Sequence, residues 1–283
     1  MSESTDYTGL ACFSVSVSAG VAVVIIDHGE INLMDRDMMV ELNSLAQLLE
    51  SDSRVKVIIF RSANPDFFIA HADLNLILAS QSADYDPEKR LVLMNHMVER
   101  FRHMPKVSIA QIEGQALGGG MELAIGLDMC FAGERARMGQ PEVGLGIIPG
   151  GGGCARLPLR VGRARAMEII LGSQTFDAVQ AERYGYINRV LPDEEIGGFV
   201  DELALRIASF PNEALAAVKR VININESASI TERLIAEQVE FKNTSSAPSA
   251  TQRMQRALDR GFQQYDIELG NVNSFLAGLG AEY

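Results

Sequence analysis

The sequence predicts an α/β fold in which strands and helices alternate. Short apolar runs at 55–60, 107–113 and 129–132 are typical of buried strands. Apolar residues at helical spacing over 35–50, and a helix-forming run at 121–127, indicate helices among these strands. Repeated strand-then-helix order of this kind favours an α/β core.

The N-terminal elements follow from local patterns. Alternating residues at 13–17, a turn at 18–20 and an apolar run at 21–26 predict a β-hairpin. Asp35 can cap the helix that runs to about Glu50. A turn at 64–66 leads into residues 67–74, the polar segment 80–86 is predicted as loop, and a helix is predicted over 87–103.

The C-terminal third is predicted to be helical throughout. Helical patterns cover 194–209, 211–225, 230–243 and 247–263, with no strand pattern between them. The predicted organisation is therefore a mixed core over residues 1–193 and a helical region over 194–283. Such an all-helical tail is more typical of packing on a core or a neighbouring subunit than of chemistry.

Composition excludes several classes of function. The formal net charge of −12 argues against nucleic acid or an anionic membrane as the main partner. We find no apolar run near the roughly 20 residues of a transmembrane helix and no signal-peptide pattern. The 3 cysteines are spaced for neither a disulfide framework nor a zinc site, so the cytoplasm is the expected location.

Three consecutive glycines, Gly118 to Gly120, precede the predicted helix that carries Glu122. Glycines leave the backbone unscreened, and a helix start presents unpaired N–H groups and the positive end of the helix dipole. This segment can direct bare backbone donors at a polarised oxygen, with a carboxyl group one turn away. That combination is typical of an oxyanion hole with an attached acid or base.

A second glycine-rich stretch, residues 139–153, contains Glu142. Two carboxyl groups that converge on one pocket cannot both ionise cheaply, so one can act as an acid and the other as a base. The alternative is that Glu122 solvates a helix start and Glu142 lies on a surface loop, as isolated charged residues usually do. Neither glycine stretch continues into a nucleotide or dinucleotide fingerprint. The four histidines lack metal-ligand spacing, so no metal site is predicted.

In combination, these motifs resemble the crotonase superfamily, in its enoyl-CoA hydratase/isomerase branch. The similarity runs through 109–124, Asp128, 132–134, 139–142, 148–152 and 156–157, and more weakly over 21–191. It implies a crotonase-like spiral of repeated ββα units with a C-terminal helical trimerisation region. It also implies a homotrimer or a dimer of trimers, and an acyl-CoA thioester as substrate.

The resemblance implies that Glu122 and Glu142 are the catalytic residues and that Ala72 and Gly119 supply the oxyanion-hole N–H groups. Keeping both glutamates favours an enoyl-CoA hydratase, which adds water to a trans-2-enoyl-CoA. A Δ3-Δ2-enoyl-CoA isomerase and a low-turnover acyl-CoA-binding paralogue are the alternatives. No cofactor is expected beyond the coenzyme A of the substrate. The substrate-binding residues that the resemblance implies are Ala70, His71, Asp73, Leu74, Gly118, Pro141 and Gly150.

Two positions depart from the family pattern. His71 stands where the family usually has glycine, and Asn75 stands where a lysine often contacts the phosphates of CoA. An imidazole at His71 can narrow the pocket, contact CoA or add a titrating group. Arg253, Arg256 and Arg260 are candidates for the missing positive charge, or form a solvated basic face.

Overall fold

The structure is a computed structural model that describes residues 5–80, 92–224 and 230–262, together with 275, 276, 278 and 279. The strands are β1 (Phe13–Ser18), β2 (Val21–Ile26), β3 (Val57–Ser62), β4 (Phe67–Ile69), β5 (Val107–Ile112), β6 (Gln115–Leu117), β7 (Met129–Gly133), β8 (Arg137–Gly139), β9 (Thr175–Asp177) and β10 (Arg189–Leu191). The helices are α1 (Arg36–Ser51), α2 (Leu74–Ser80), α3 (Leu93–His103), α4 (Gly119–Gly126), α5 (Gly153–Val161), α6 (Arg163–Gly172), α7 (Ala178–Tyr184), α8 (Ile196–Ala208), α9 (Asn212–Ile222), α10 (Ile230–Ser245) and α11 (Pro248–Asp259), with a 3-10 turn at Glu142–Leu145.

Two sheets form the framework of the protein. The larger has the order β1-β2-β3-β5-β7-β10 and the smaller has the order β4-β6-β8-β9. The pairs β3–β4, β5–β6 and β7–β8 each send the first strand to the larger sheet and the second to the smaller. Neighbouring strands of successive pairs run parallel. This repeat winds the chain into the predicted spiral.

Helix α4 is buried along its whole length, from Gly119 to Gly126. It contacts β4, β6 and β7, and it also touches α3 and α5. A Cβ at Gly120 would lie 2.9 Å from the Cβ of Ile69, so the helix start can approach β4 only without a side chain there. The sheets therefore hold the glycine-rich helix start in a fixed place.

The helices after residue 193 do not all stand apart from the sheets. The buried side chains of Ile196 and Val200 on α8 share an apolar cluster with Val57 and Ile59 of β3. The division of the chain after residue 193 stays a prediction. No helix in the described part of the chain combines the length and apolarity that crossing a bilayer requires.

Several element boundaries differ from the predictions. Strand β3 begins at Val57, two residues later than expected. The helical pattern in the sequence extends to residue 263, but α11 ends at Asp259. Helix α3 begins at Leu93, because Val92 is extended. Several predicted segments lie outside the described residues. They are the rest of the predicted helix start (87–91), most of the predicted loop (81–86) and the predicted helix ends at 225 and 263.

Helix α2 and the elements between residues 133 and 193 were not predicted. Helix α2 follows Asp73, whose carboxylate accepts the backbone N–H of Asn75 at 2.9 Å. This capping interaction is a usable signal for a helix start. Strands β6, β8, β9 and β10 have 3 residues each, too few to show an alternating pattern.

Asn32 is buried, and its side chain forms several hydrogen bonds close to the loop that follows β4. Its amide donates to the Ser62 hydroxyl at 2.8 Å and to the carbonyls of Phe67 and Phe68 at 3.1 Å each. Its side-chain oxygen accepts the backbone N–H of His28 at 2.8 Å. The segment 31–34 then pairs with 70–73 through backbone hydrogen bonds of 2.9–3.2 Å. Asn32 therefore helps to fix the position of the 70–73 loop.

Replacing Asn32 with glycine should lower the free energy of unfolding by about 2–3 kcal/mol, because the Phe68 carbonyl and the His28 N–H lose the Asn32 side chain as a partner. Glycine accepts the φ of +49° at this position without strain. Ala19→Gly is the matched control, since the exposed Ala19 has the same φ of +49°. Urea unfolding of both variants measures the effect, and equal losses for the two would contradict the assigned role.

Candidate active site

Glu122 lies in the first turn of α4 and is only 4% exposed. Its Oε1 accepts the backbone N–H of Gly153 at 2.8 Å. Burial raises the pKa of Glu122 above its usual value, while the N–H groups of Gly153, Gly151 and Gly152 and the charge of Arg156 oppose that rise. The carboxyl group is therefore buried but faces donors that favour its ionised form.

Glu142 begins the 3-10 turn and is 9% exposed. A Cβ added to Gly118 would collide with Glu142 Oε1. Gly118 also has a φ of +47°, which a side chain would strain. Both constraints require glycine directly before α4 and seat the Glu142 carboxyl group against the start of this helix.

The Glu142 carboxyl group is held by Gln140 and Tyr186. In the orientation that satisfies both neighbours, the Gln140 amide donates to Glu142 at 3.1 Å and accepts the Tyr186 hydroxyl at 3.2 Å. Burial, together with the negative charge of Glu122, raises the pKa of Glu142 to about 7. This carboxyl group can thus hold a proton near neutral pH.

The two glutamates belong to one site, as the paired-carboxylate interpretation requires. A Cβ at Gly153 would lie 3.2 Å from Glu122 Oε1 and 3.3 Å from Cδ of Gln140, whose amide nitrogen donates to Glu142. Both carboxyl groups are buried. Their burial rules out the alternative in which each is a solvated surface group.

Ala72 and Gly119 lie side by side at the same helix start. A Cβ at Gly119 would lie 3.4 Å from the Ala72 nitrogen and 3.3 Å from its Cβ. Neither backbone N–H donates a hydrogen bond to another residue that the structure describes. Two unpaired N–H groups at the positive end of a buried helix can stabilise negative charge on an oxygen.

The other residues predicted to bind substrate lie between the end of β4 and the start of α2, directly before α4, and in the glycine-rich 139–153 stretch. Ala70 is buried, and its carbonyl accepts the N–H of Leu117 at 3.2 Å. His71 is half-buried, with Nδ1 2.9 Å from the carbonyl of Ala72. Gly118 directly precedes α4, and Pro141 directly precedes Glu142. The Gly150 carbonyl accepts from Asn95, Asp73 caps α2, and Leu74 is exposed.

Sequence reasoning missed four polar residues around the carboxyl groups. Gln140 lies within the 139–142 motif of the family resemblance, so the sequence contained a usable signal for this residue. Arg156 likewise lies in a quoted motif, but nothing in the sequence indicated its partners. Asn95 and Tyr186 reach the site through tertiary packing from α3 and from the segment after α7, and no local pattern marks them.

The remaining candidates from the sequence are the cysteines, Arg253 of α11 and any metal-binding cluster. Cys12 and Cys130 are buried, and Cys154 is exposed. Arg253 donates to the carbonyls of Ser209 and Leu276, so its guanidinium serves local structure. Within the described ranges, no three His, Cys, Asp or Glu side chains cluster closely enough to hold a metal ion.

A cavity of about 510 Å³ lies at the C-terminal end of α4, between α5 and α9. Arg102, Asp128, Arg160 and Lys219 line it together with apolar side chains. Neither glutamate belongs to its lining. We therefore locate the candidate active site from the buried carboxyl groups and the N–H groups of Ala72 and Gly119, not from this cavity.

The spiral of ββα turns is the crotonase fold, and comparison with known proteins identifies the family. The sequence profile described as enoyl-CoA hydratase/isomerase matches residues 16–266. The chain belongs to this enoyl-CoA hydratase/isomerase family.

The relatives include hydratases of known sequence and structure. The short-chain-enoyl-CoA hydratase of Clostridium acetobutylicum is 34% identical over 222 residues, which cover 78% of this chain and 84% of that relative. The enoyl-CoA hydratase structure from Bacillus anthracis has a TM-score of 0.80 at 26% identity, covering 88% of this chain and 96% of that one. Pseudomonas aeruginosa DspI has a TM-score of 0.81 at 29% identity, covering 92% and 98%.

Glu142→Gln should stabilise the protein at pH 8 and have little effect at pH 5. The pKa of Glu142 rises on folding from a usual value of 4.5 to about 7, so the folded state retains a proton that the unfolded state loses. Stability contributed by this group is thus lost as the pH rises through that window. Thermal melts at both pH values test this, with Glu202→Gln on the exposed face of α8 as the control. A lower melting temperature for Glu142→Gln at pH 8 would contradict the burial argument.

Proposed function

We propose that this protein adds water to a trans-2-enoyl-CoA thioester and releases a 3-hydroxyacyl-CoA. One arrangement supports the proposal above all others: two buried carboxyl groups lie beside two backbone N–H groups that have no acceptor among the described residues, at one helix start. The hydratases among the relatives support the same reaction.

The N–H groups of Ala72 and Gly119 would bind the thioester oxygen. Attack of water on the β-carbon of the conjugated system moves negative charge onto that oxygen. Donors already fixed in a dry site stabilise this enolate-like charge, and one such donor contributes about 3–4 kcal/mol in comparable enzymes. The start of α4 adds the positive end of its dipole.

The two carboxyl groups would divide the proton transfers. Glu122 faces the N–H groups of the 151–153 loop, which favour its ionised form, so it suits removal of a proton from water. Glu142 has a pKa of about 7, so it suits delivery of a proton to the α-carbon. The new C–O bond forms at the β-carbon, one water proton passes to Glu122, and the Glu142 proton forms the new C–H bond.

This mechanism uses no metal or prosthetic group, and coenzyme A enters as part of the substrate. The substrate would lie along residues 70–74, with the imidazole of His71 beside the oxyanion-hole loop. We also propose a homotrimer or a dimer of trimers in the cytoplasm. Large apolar side chains that are exposed on the C-terminal helices support assembly, and these include Val218, Ile222, Val239 and Phe241.

A Δ3-Δ2-enoyl-CoA isomerase is the second candidate. A carboxyl group with a pKa near 7 can both accept and return a proton, and such a group suffices to move a hydrogen between carbon atoms. The isomerase reaction would need Glu142 and leave Glu122 without a required role, because no water is activated. The two functions therefore differ in how far they depend on Glu122.

Glu122→Gln and Glu142→Gln should each lower the rate of crotonyl-CoA hydration at least 100-fold, because each loses one proton transfer. The decay of the conjugated absorbance measures the rate. Glu202→Gln, far from the site, should keep the parent rate.

Loss of activity toward a 3-enoyl-CoA in Glu142→Gln alone, with no hydration by the parent, would overturn the hydratase in favour of the isomerase. Binding of CoA thioesters without any turnover would instead identify an acyl-CoA-binding protein.

A further inference from the structure

The loop of residues 150–153 approaches Glu122 closely through its backbone. The N–H of Gly153 lies 2.8 Å from Glu122 Oε1, and a Cβ at Gly151 would lie 2.5 Å from Glu122 Oε2. The loop therefore has to be free of side chains on this face. Its peptide groups, rather than side chains, form the immediate surroundings of the carboxylate.

Two side chains hold the opposite side of the same peptide groups. Asn95 of α3 donates its amide to the carbonyl of Gly150 at 3.0 Å. Arg156 of α5 donates from Nη1 to the carbonyl of Gly151 at 3.2 Å. In a trans peptide the C=O and the following N–H point in opposite directions. Holding these two carbonyls away from Glu122 turns the N–H groups of Gly151 and Gly152 toward it.

Arg156 is itself fixed by its neighbours. It is 9% exposed, and its Nη2 pairs with Glu99 of α3 at 2.6 Å. Burial favours the protonated form of Glu99, but the hydrogen bond and charge of Arg156 outweigh it and hold the pKa of Glu99 below its usual value. A Cβ at Gly152 would occupy the place of the guanidinium, and the φ of +118° there also requires glycine. The loop can therefore pack against the Arg156 guanidinium only with glycine at position 152.

We propose that Arg156 and Asn95 are positioning residues that orient the 150–153 loop and thereby set the orientation and proton affinity of Glu122. Neither needs to touch the substrate, since each acts through the backbone of the loop. The kinetic part of this inference rests on the proposed hydration by Glu122, whereas the structural part does not.

The charged and titratable groups around Glu122 allow the direction of the effect to be worked out. Arg156 on α5 favours the ionised carboxylate, and so do the loop N–H groups. Glu142 on the 3-10 turn repels the same charge. Cys154 on α5 and Tyr186 after α7 also feel the charge of Glu122 and are neutral while their raised pKa values exceed the working pH. Loss of Arg156 therefore removes a positive charge and loosens the donors, and both changes favour protonated Glu122.

The titration of Glu122 can be measured directly by NMR of protein labelled with 13C at the glutamate carboxyl carbon. The signal is assigned by its absence in Glu122→Gln. Arg156→Gln should raise the titration midpoint of Glu122 by about one pH unit or more. Arg156→Lys, which keeps the charge, should restore part of the shift, and Asn95→Ala should raise the midpoint by a smaller amount.

Arg160→Gln is the matched control. Arg160 also lies on α5, and its guanidinium donates to the backbone carbonyls of Ile125 and Leu127 at 2.9 Å each. Its loss should lower the melting temperature without moving the Glu122 midpoint. An unchanged midpoint in folded Arg156→Gln and in Asn95→Ala, or an equal shift in Arg160→Gln, would overturn the inference.

Kinetics separates this inference from the proposed function. In Arg156→Gln the acid limb of the kcat/KM profile for crotonyl-CoA, which reports the free enzyme, should move to higher pH by the same amount as the NMR midpoint, with KM changed less than kcat. A parent protein without turnover would defeat the hydratase proposal, yet the NMR midpoints would still decide the role of Arg156 and Asn95.

Discussion

The site depends on the contact between a buried carboxylate and the N–H groups of a glycine loop. Glu122 sits on a helix that is buried from end to end, so water cannot compensate its charge. The N–H of Gly153 and its neighbours replace that water. Glycine at 151 is required by the close approach to Glu122, and glycine at 152 is required by the guanidinium of Arg156 behind the loop.

Differences in surroundings give two similar side chains different roles. Glu122 faces several backbone donors and a nearby arginine, whereas Glu142 is held by the Gln140 amide and repelled by Glu122. Burial raises the pKa of both groups, but the donors and the arginine oppose that rise at Glu122, whereas the charge of Glu122 adds to it at Glu142. Such a division suits a reaction that removes one proton and supplies another. The N–H groups of Ala72 and Gly119, which find no acceptor in the part of the chain that the structure describes, lie at the same helix start.

The sequence allowed the fold and the carboxyl pair to be predicted because glycine patterns are local. Gly118 to Gly120 and the 139–153 stretch marked both glutamates, although burial was needed to exclude a solvated role. Asn95 and Tyr186 could not be predicted, since their contacts arise when distant segments pack together. Helix α2 was missed although Asp73 offered a cap, and α3 began later than its periodicity indicated because Val92 is extended.

The most direct test of the account is the infrared stretching frequency of a thioester carbonyl in the site. Butyryl-CoA with 13C at the carbonyl carbon binds without being hydrated, so its spectrum can be recorded at equilibrium. If the N–H groups of Ala72 and Gly119 hold the oxygen, the bound carbonyl should absorb at lower frequency than in water, because the donors polarise the C=O bond. A bound ligand whose carbonyl frequency equals or exceeds that in water would contradict the placement of the oxyanion hole.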